Sequence, residues 1–179
     1  MERQPQLPPR AGPRPRTTGE LPHSQLDQQP SDGRQADALL AEALTWPSVE
    51  VGISEISVEN ARALKLDNDS AAKATGAFMI GREFCHVHAQ GDYSLHAVLP
   101  LELAAAAEAA GWAEPHYLVQ SGKAPANLVM LYAPRDEGER AVVLRLVRAS
   151  YHFALGQTGE PAAGTWESQL VETSTDAKE

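Results

Sequence analysis

Four of the six histidines fall within one short stretch of this 179-residue chain: His86, His88, His96 and His116. An imidazole changes its charge near physiological pH, so it can donate or accept protons, and its neutral form ligates metals. His86 and His88 are two positions apart. A β-strand would therefore place both rings on one face. We expect chemistry at this stretch.

The residue types leave three interpretations of the histidines open. They could be catalytic or ligand-contacting groups that act without a metal. Alternatively, His86, His88 and His96, with His116 as a further donor, could hold zinc, iron, copper or nickel. In the third interpretation they are hydrogen-bonded core residues. A divalent metal therefore stays a candidate cofactor.

Residues close to the histidines in sequence are further candidates. Asp92 and Tyr93 lie in a predicted hairpin loop, where they would either cover the mouth of a pocket or serve as turn residues. Trp112 follows a helix-ending glycine and would pack on the hairpin or form a wall of a ligand pocket. Glu114 is close enough to His116 in sequence to orient an imidazole, although an exposed surface acid is the more common role of such a residue. We expect Cys85 to be a buried structural thiol.

The elements that must position these residues predict an α+β fold. Alternating segments at 82–88 and 94–99 predict a β-hairpin, in which His96 lies near His86 or His88 with the register left open. Regular alternation would place Phe84 on the histidine face and Glu83 on the face of Cys85. The other predicted elements are helices over 36–44, over 100–110 and after Asp136, and strands over Val49–Ile53 and 128–132.

Composition predicts one folded domain with disordered termini. Residues 1–32 contain seven of the thirteen prolines and few large apolar residues, so they bury too little surface to offset their conformational entropy. Residues 156–179 form an acidic tail rich in Gly, Ser and Thr. We therefore expect a single compact domain over 33–155, with a small, mostly antiparallel sheet packed by about three helices.

Charge and composition exclude several classes of partner. A formal net charge of −9 argues against a nucleic-acid partner, because nucleic-acid-binding domains usually carry a basic face. The single cysteine precludes an internal disulfide and fits a reducing compartment. No apolar run approaches the length of a membrane span, and no signal-peptide core follows the N-terminal arginines. We expect a cytoplasmic protein without a membrane partner, and the oligomeric state stays open.

A series of short motifs runs through the folded part of the chain, within about residues 77–155. Several such motifs in one order are a specific signal, although each alone would be weak. In this order they resemble the luciferase-domain family, which contains fungal luciferase and many bacterial proteins. The motifs are Arg82-Glu83, His86-x-His88, Leu95-His96, Gly111-Trp112, His116, Leu131-Tyr132-Ala133-Pro134-Arg135 and Val147-x-Ala149-Ser150.

The resemblance implies a reaction and a set of site residues. The fungal enzyme oxidises a hydroxylated styrylpyrone with molecular oxygen, which needs a base and a site that excludes water, and no organic cofactor is implied. If this chain is an enzyme, we expect a cofactor-independent or metal-dependent oxygenase acting on a small-molecule substrate. The implied catalytic residues are His86, His88, His96 and His116, and the expected substrate-binding residues are Glu83, Tyr93, Trp112 and Arg135.

Two departures from the family limit what carries over. The fungal enzyme has an N-terminal hydrophobic anchor, whereas this chain begins with a polar, proline-rich leader, so we expect a soluble protein. A composition rich in Ala, Arg and Glu suggests a bacterial source, where the pyrone substrate is not expected. The fold and pocket can carry over without the light-emitting reaction. A non-catalytic metabolite-binding module is the alternative.

Overall fold

A computed structural model describes residues 7–71, 76–89 and 91–157, and the α+β prediction is confirmed. Within these residues, one antiparallel sheet of six strands has the order β1-β2-β3-β4-β6-β5 and is accompanied by four helices. The strands are β1 Val49–Ile53, β2 Arg62–Leu66, β3 Glu83–Val87, β4 Leu95–Val98, β5 Ala113–Pro115 and β6 Leu128–Leu131; the helices are α1 Arg34–Ala43, α2 Leu101–Ala109, α3 Tyr117–Gln120 and α4 Glu137–Ala154.

One face of the sheet is apolar and packs against helices. Cys85, Leu95 and Leu131 lie on this face, buried in one cluster with residues of α1 and α4. Helix α4 packs on β3 and β4, and α1 packs on α4. Burial raises the pKa of the Cys85 thiol, and the nearby Glu83 charge adds to the rise. Cys85 therefore lies in the core as an unreactive thiol.

Ser150 ties α4 to the two strands that carry the histidines. Its side chain is fully buried, and its hydroxyl lies 3.1 Å from the carbonyl oxygen of Phe84 and 2.7 Å from that of Val98. A hydroxyl has one hydrogen, so the two carbonyls share a single donor. This polar contact fixes the helix against β3 and β4, two residues along each strand from His86 and His96.

A β-bulge at Phe84 overturns the alternation expected for β3. Leu64 pairs with Cys85 but its neighbour Lys65 pairs with Glu83, so Phe84 is an extra residue on β3. Phe84 turns into the apolar core, fully buried. Glu83 consequently lies with His86 on the opposite face, where regular alternation had not placed it.

Residues 7–32, which we call the strap, pack against the domain, and this corrects the expectation of a disordered leader there. Within the strap, Arg10, His23 and Gln25 are buried. The strap is held mainly by polar contacts; for example, the Trp112 indole N–H donates to the Pro8 carbonyl at 2.6 Å. Contacts of this kind cannot be predicted from the number of apolar residues in the segment. The first six residues and most of the predicted tail (158–179) lie outside the described residues.

Replacing Ser150 with Ala should lower the free energy of unfolding by about 1–3 kcal/mol, because two buried carbonyls lose their shared donor. Urea denaturation measures this change. The exposed Ser121→Ala serves as the control and should stay within about 0.5 kcal/mol of wild type. Equal stability of the two variants would contradict the proposed link between α4 and the strands.

Candidate functional site

The second face of the sheet carries a row of residues that are register partners across five strands. The row consists of Ala63, His86, His96, Met130 and Glu114. Partners in neighbouring strands point to the same side, so the row ends with a carboxylate on β5. The pairing also resolves the open register of the hairpin, since His96 lies directly opposite His86.

A buried hydrogen-bonded chain links Glu83, His86 and His96. His86 Nδ1 lies 2.7 Å from Glu83 Oε1, and His86 Nε2 lies 2.9 Å from His96 Nδ1. Ser54 donates its hydroxyl to the same Glu83 oxygen at 2.8 Å. A carboxylate accepts, so neutral His86 carries its proton on Nδ1 and His96 donates from its own Nδ1. His96 Nε2 is then left with a lone pair.

His88 is oriented by a second carboxylate. It follows the end of β3, and its Nδ1 is hydrogen-bonded to Asp92 Oδ2 in the hairpin loop. Asp92 also accepts from the backbone N–H of Ser94 at 3.2 Å. Burial acts to raise the pKa of Asp92, but the hydrogen bonds and charge of His88 and the bonds from Ser94 lower it overall. Asp92 is therefore ionised beside His88 at neutral pH.

His116 and His23 complete a cluster of five imidazoles. His116 caps α3 by accepting the Leu118 N–H on Nδ1 at 3.1 Å. The His96 ring centroid lies 4.3 Å from that of His116 and 4.6 Å from that of His88, both edge-on. His23, from the strap, stacks on His96 at 5.7 Å and meets His116 edge-on at 5.0 Å.

Glu114 accepts hydrogen bonds from three side chains at the edge of the cluster, two of which belong to the strap. Its Oε1 accepts from His23 Nε2 at 2.8 Å and from the Thr17 hydroxyl at 2.7 Å, and its Oε2 accepts from the Tyr132 hydroxyl at 2.8 Å. Burial acts to raise the pKa of Glu114, but these three bonds lower it overall. Burial and the Glu114 contact raise the pKa of Tyr132 to about 12. Glu114 is hydrogen-bonded to an imidazole, but the ring is that of His23 and not that of His116, its neighbour in sequence.

Burial keeps the centre of the cluster neutral. It lowers the pKa of His96 well below its usual value and lowers that of His116 to about 4, with the other imidazoles adding to both effects. Burial also lowers the pKa of His86, although the Glu83 bond partly offsets this. Among the described residues, no hydrogen-bond partner reaches His88 Nε2 or His96 Nε2. We call these two atoms the open nitrogens.

The cluster contains two sets of three histidines that could hold a metal ion. One set is His86, His88 and His96, and the other is His23, His96 and His116. In each set, one ring nitrogen from every residue lies within 4.8 Å of the others. Each set contains one histidine with both ring nitrogens bonded. In the first set it is His86, bonded to Glu83 and His96, and in the second it is His23, bonded to Glu114 and the Tyr117 N–H.

The structure brings the four predicted catalytic histidines together, but only one of the four expected substrate-binding residues joins them. Glu83 binds His86 as described above. Tyr93 packs beside Gly33 at the start of α1, and Arg135 pairs with Glu139 of α4. Trp112 is buried in the apolar cluster and donates to the strap. His23 was missed because it lies in a polar, proline-rich segment with no periodicity to mark it.

A comparison with family models finds a match over part of the chain. Residues 81–150 match the family model described as the Luciferase domain. This segment includes the β3–β4 hairpin, β5, β6 and most of α4. The resemblance to the luciferase-domain family expected from the motifs is confirmed.

Fungal luciferases are similar to this chain over most of its length. The luciferase of Armillaria mellea is 30% identical over 177 residues, covering 90% of this chain and 65% of the relative. That of Armillaria ostoyae is 30% identical over 88% of this chain and 64% of its own length. That of Neonothopanus nambi is 35% identical over 45% of this chain. The chain thus spans slightly less than two thirds of the Armillaria proteins.

Two further comparisons gave negative findings. No solved structure matches the chain significantly. Of the helices in the described ranges, none combines the length and hydropathy required to cross a bilayer.

Acid should destabilise the fold in a window set by the buried histidines. The pKa of His116 is about 4 when folded and about 6.5 when unfolded, so the unfolded state binds more protons between these values. The free energy of unfolding should therefore fall as the pH drops from about 6.5 to 4. His116→Asn keeps a capping oxygen for the Leu118 N–H but does not titrate, so its dependence should be weaker.

Urea denaturation at a series of pH values, with a chelator present, tests this expectation. The matched control is His152→Gln, since His152 lies outside the cluster and bonds Gln157 at 2.7 Å. It should keep the wild-type pH dependence. If His116→Asn also kept it, protonation of His116 would not couple to folding.

Proposed function

Because the chain matches the luciferase-domain family, we propose that its histidine cluster is the active site of an oxygen-dependent oxidation. The proposed substrate is a small enolisable molecule of the aromatic or pyrone type. The observation that carries this proposal is His88, a buried imidazole with a carboxylate on Nδ1 and an open Nε2. Such a pair is the usual arrangement of a histidine that acts as a general base.

We assign the base role to His88. An enolic hydroxyl placed against His88 Nε2 would give up its proton to that nitrogen, and the Asp92 carboxylate would stabilise the imidazolium that forms. The resulting enolate is electron-rich, which is the property needed for attack on molecular oxygen. His96, whose pKa is held low, stays neutral beside it. Because His96 is neutral, the negative charge of Asp92 stabilises the imidazolium of His88 alone.

Burial supports the same assignment. His88 is 1% exposed and His96 is 5% exposed, so bulk water has little access to the open nitrogens. Water would protonate an enolate or hydrolyse an oxygen adduct, and an enclosed site suppresses both side reactions. An exposed cluster of the same residues would lack this protection.

Oxygen uptake with a hydroxypyrone of the fungal-luciferin type tests the proposal. Wild-type protein should consume oxygen, and His88→Gln should lower the rate at least about 100-fold because the base is removed. Asp92→Asn should lower it about 10-fold or more, since the imidazolium loses its counter-charge. His152→Gln, which changes a histidine outside the cluster, should match wild type.

The outcomes separate the competing functions. Full activity of His88→Gln would overturn the base assignment. Saturable binding of the pyrone without oxygen uptake or product would instead favour a metabolite-binding module.

A metal-binding function is the second candidate, and the donor set favours it. Carboxylates lie behind His86 and His88, as they commonly do behind metal-ligating histidines, where they fix the tautomer. The residues fit a divalent ion held by His86, His88 and His96, provided that the bond between His86 and His96 opens. A bound ion would act as a Lewis acid toward an enolate oxygen.

Elemental analysis of protein purified without an affinity tag tests the metal candidate. If it is right, we expect about one equivalent of a transition metal per chain, and His96→Gln should lose most of it because His96 belongs to both histidine sets. His152→Gln should keep the wild-type content. Less than about a tenth of an equivalent in wild type, unchanged after metal is added and the protein dialysed, would end this candidate.

A further inference from the structure

We infer that the strap is a cover of the histidine cluster and that His23 is its positioning residue, holding the rings of His96 and His116 in place. A small molecule would then reach the open nitrogens only when the strap lifts from Glu114. The inference that the strap covers the cluster is based on its contacts with the histidines and with Glu114. The effect of this cover on turnover rests on the proposed function.

Glu114 is the point at which the strap is latched. Two of its three donors, Thr17 and His23, belong to the strap. They come from the two sides of a short hairpin, in which Thr17 bridges to Gln25. The latch therefore fixes both arms of this hairpin to β5 at the point where His23 covers the cluster.

His23 is suited to hold the cluster rather than to react. Its Nε2 donates to Glu114 and its Nδ1 accepts the Tyr117 N–H at 3.2 Å, so both ring nitrogens are bonded. It is 1% exposed and stacks on His96 at an interplanar angle of 16°. The ring thus covers His96 from above while offering no free nitrogen to a substrate.

The strap also reaches the proposed base. The backbone N–H of Gln25 donates to Asp92 Oδ1 at 3.2 Å, while the other oxygen of Asp92 binds His88. The Gln25 side chain in turn accepts the Ala133 N–H at 2.9 Å. Closing of the strap and orientation of the Asp92–His88 pair are therefore coupled through one carboxylate.

The similarity to fungal luciferases extends into the strap. The match to the Armillaria mellea protein covers 90% of this chain and so leaves about 18 residues unmatched. This number is smaller than the length of the segment 7–32, so part of the strap must lie within the match. At least part of the cover therefore lies within the region that is similar to the fungal luciferase.

Chemical modification tests the cover without reference to any activity. Diethyl pyrocarbonate acylates accessible neutral imidazoles, and peptide mass spectrometry gives a rate for each histidine. In His23→Ala, the rates at His96 and His116 should rise at least about tenfold over wild type. Glu114→Gln, which weakens the latch, should raise them less. Glu20→Ala alters an exposed strap residue away from the latch and should have no effect.

Two internal references guard against general unfolding. The rate at His152 should stay constant, and the buried Cys85 should stay unreactive toward a thiol reagent in every variant. Wild-type rates at His96 and His116 in both His23→Ala and Glu114→Gln would overturn the inference. So would a rise that is always accompanied by reaction of Cys85.

Turnover provides a second, separable readout. If wild type consumes oxygen, His23→Ala should lose most of this activity, and added imidazole should restore part of it by filling the vacated place. Imidazole should not restore His88→Gln to the same extent, because the base itself is missing there. Loss without rescue would count against a positioning role. Absence of uptake in wild type, with faster modification of His23→Ala, would refute the proposed reaction but leave the cover standing.

Discussion

The carboxylate of Glu114 accepts three side-chain hydrogen bonds, and the covering of the sheet's polar face depends on them. Even a partly buried carboxylate loses hydration, and here Thr17, His23 and Tyr132 satisfy its oxygens. The same hydrogen bonds hold the strap, which is polar and has little apolar surface, against the domain. Hydrogen bonds to Glu114 thus help to stabilise a docked segment that has little apolar surface to bury.

The two faces of the sheet are buried by different physical means. The helix-covered face excludes water through apolar contacts of residues such as Leu95 and Leu131. The opposite face buries imidazoles, whose nitrogens must be hydrogen-bonded or left unsatisfied at a cost. Carboxylates bond His86, His88 and His23, and these bonds fix which nitrogen carries the proton. Among the described residues, the two buried imidazole nitrogens without a partner belong to His88 and His96, whose rings are in edge-on contact.

Sequence patterns were informative where periodicity and residue chemistry agree. The hairpin, α2 and α4 follow from alternation, alanine content and the Asp136 cap, and the histidines are evident from their spacing. The bulge at Phe84 is invisible to such reasoning because it depends on pairing with β2, which is distant in sequence. The strap was misjudged because its hydrogen bonds to Glu114, Asp92 and Ala133 leave no compositional trace. β5 and α3 are too short to show a period.

The strap precedes in the chain every residue that holds it. Its bonds to the domain include those from His23 to Glu114 and from Arg135 to Ala11, which join positions 91 and 124 apart in sequence. As the chain leaves the ribosome, the strap emerges before these partners and must wait until β5, β6 and the start of α4 are present. Contacts over such separations form late because loop closure must precede them. The order of synthesis therefore leaves the histidine face without its covering segment until the strands β5 and β6 have been made.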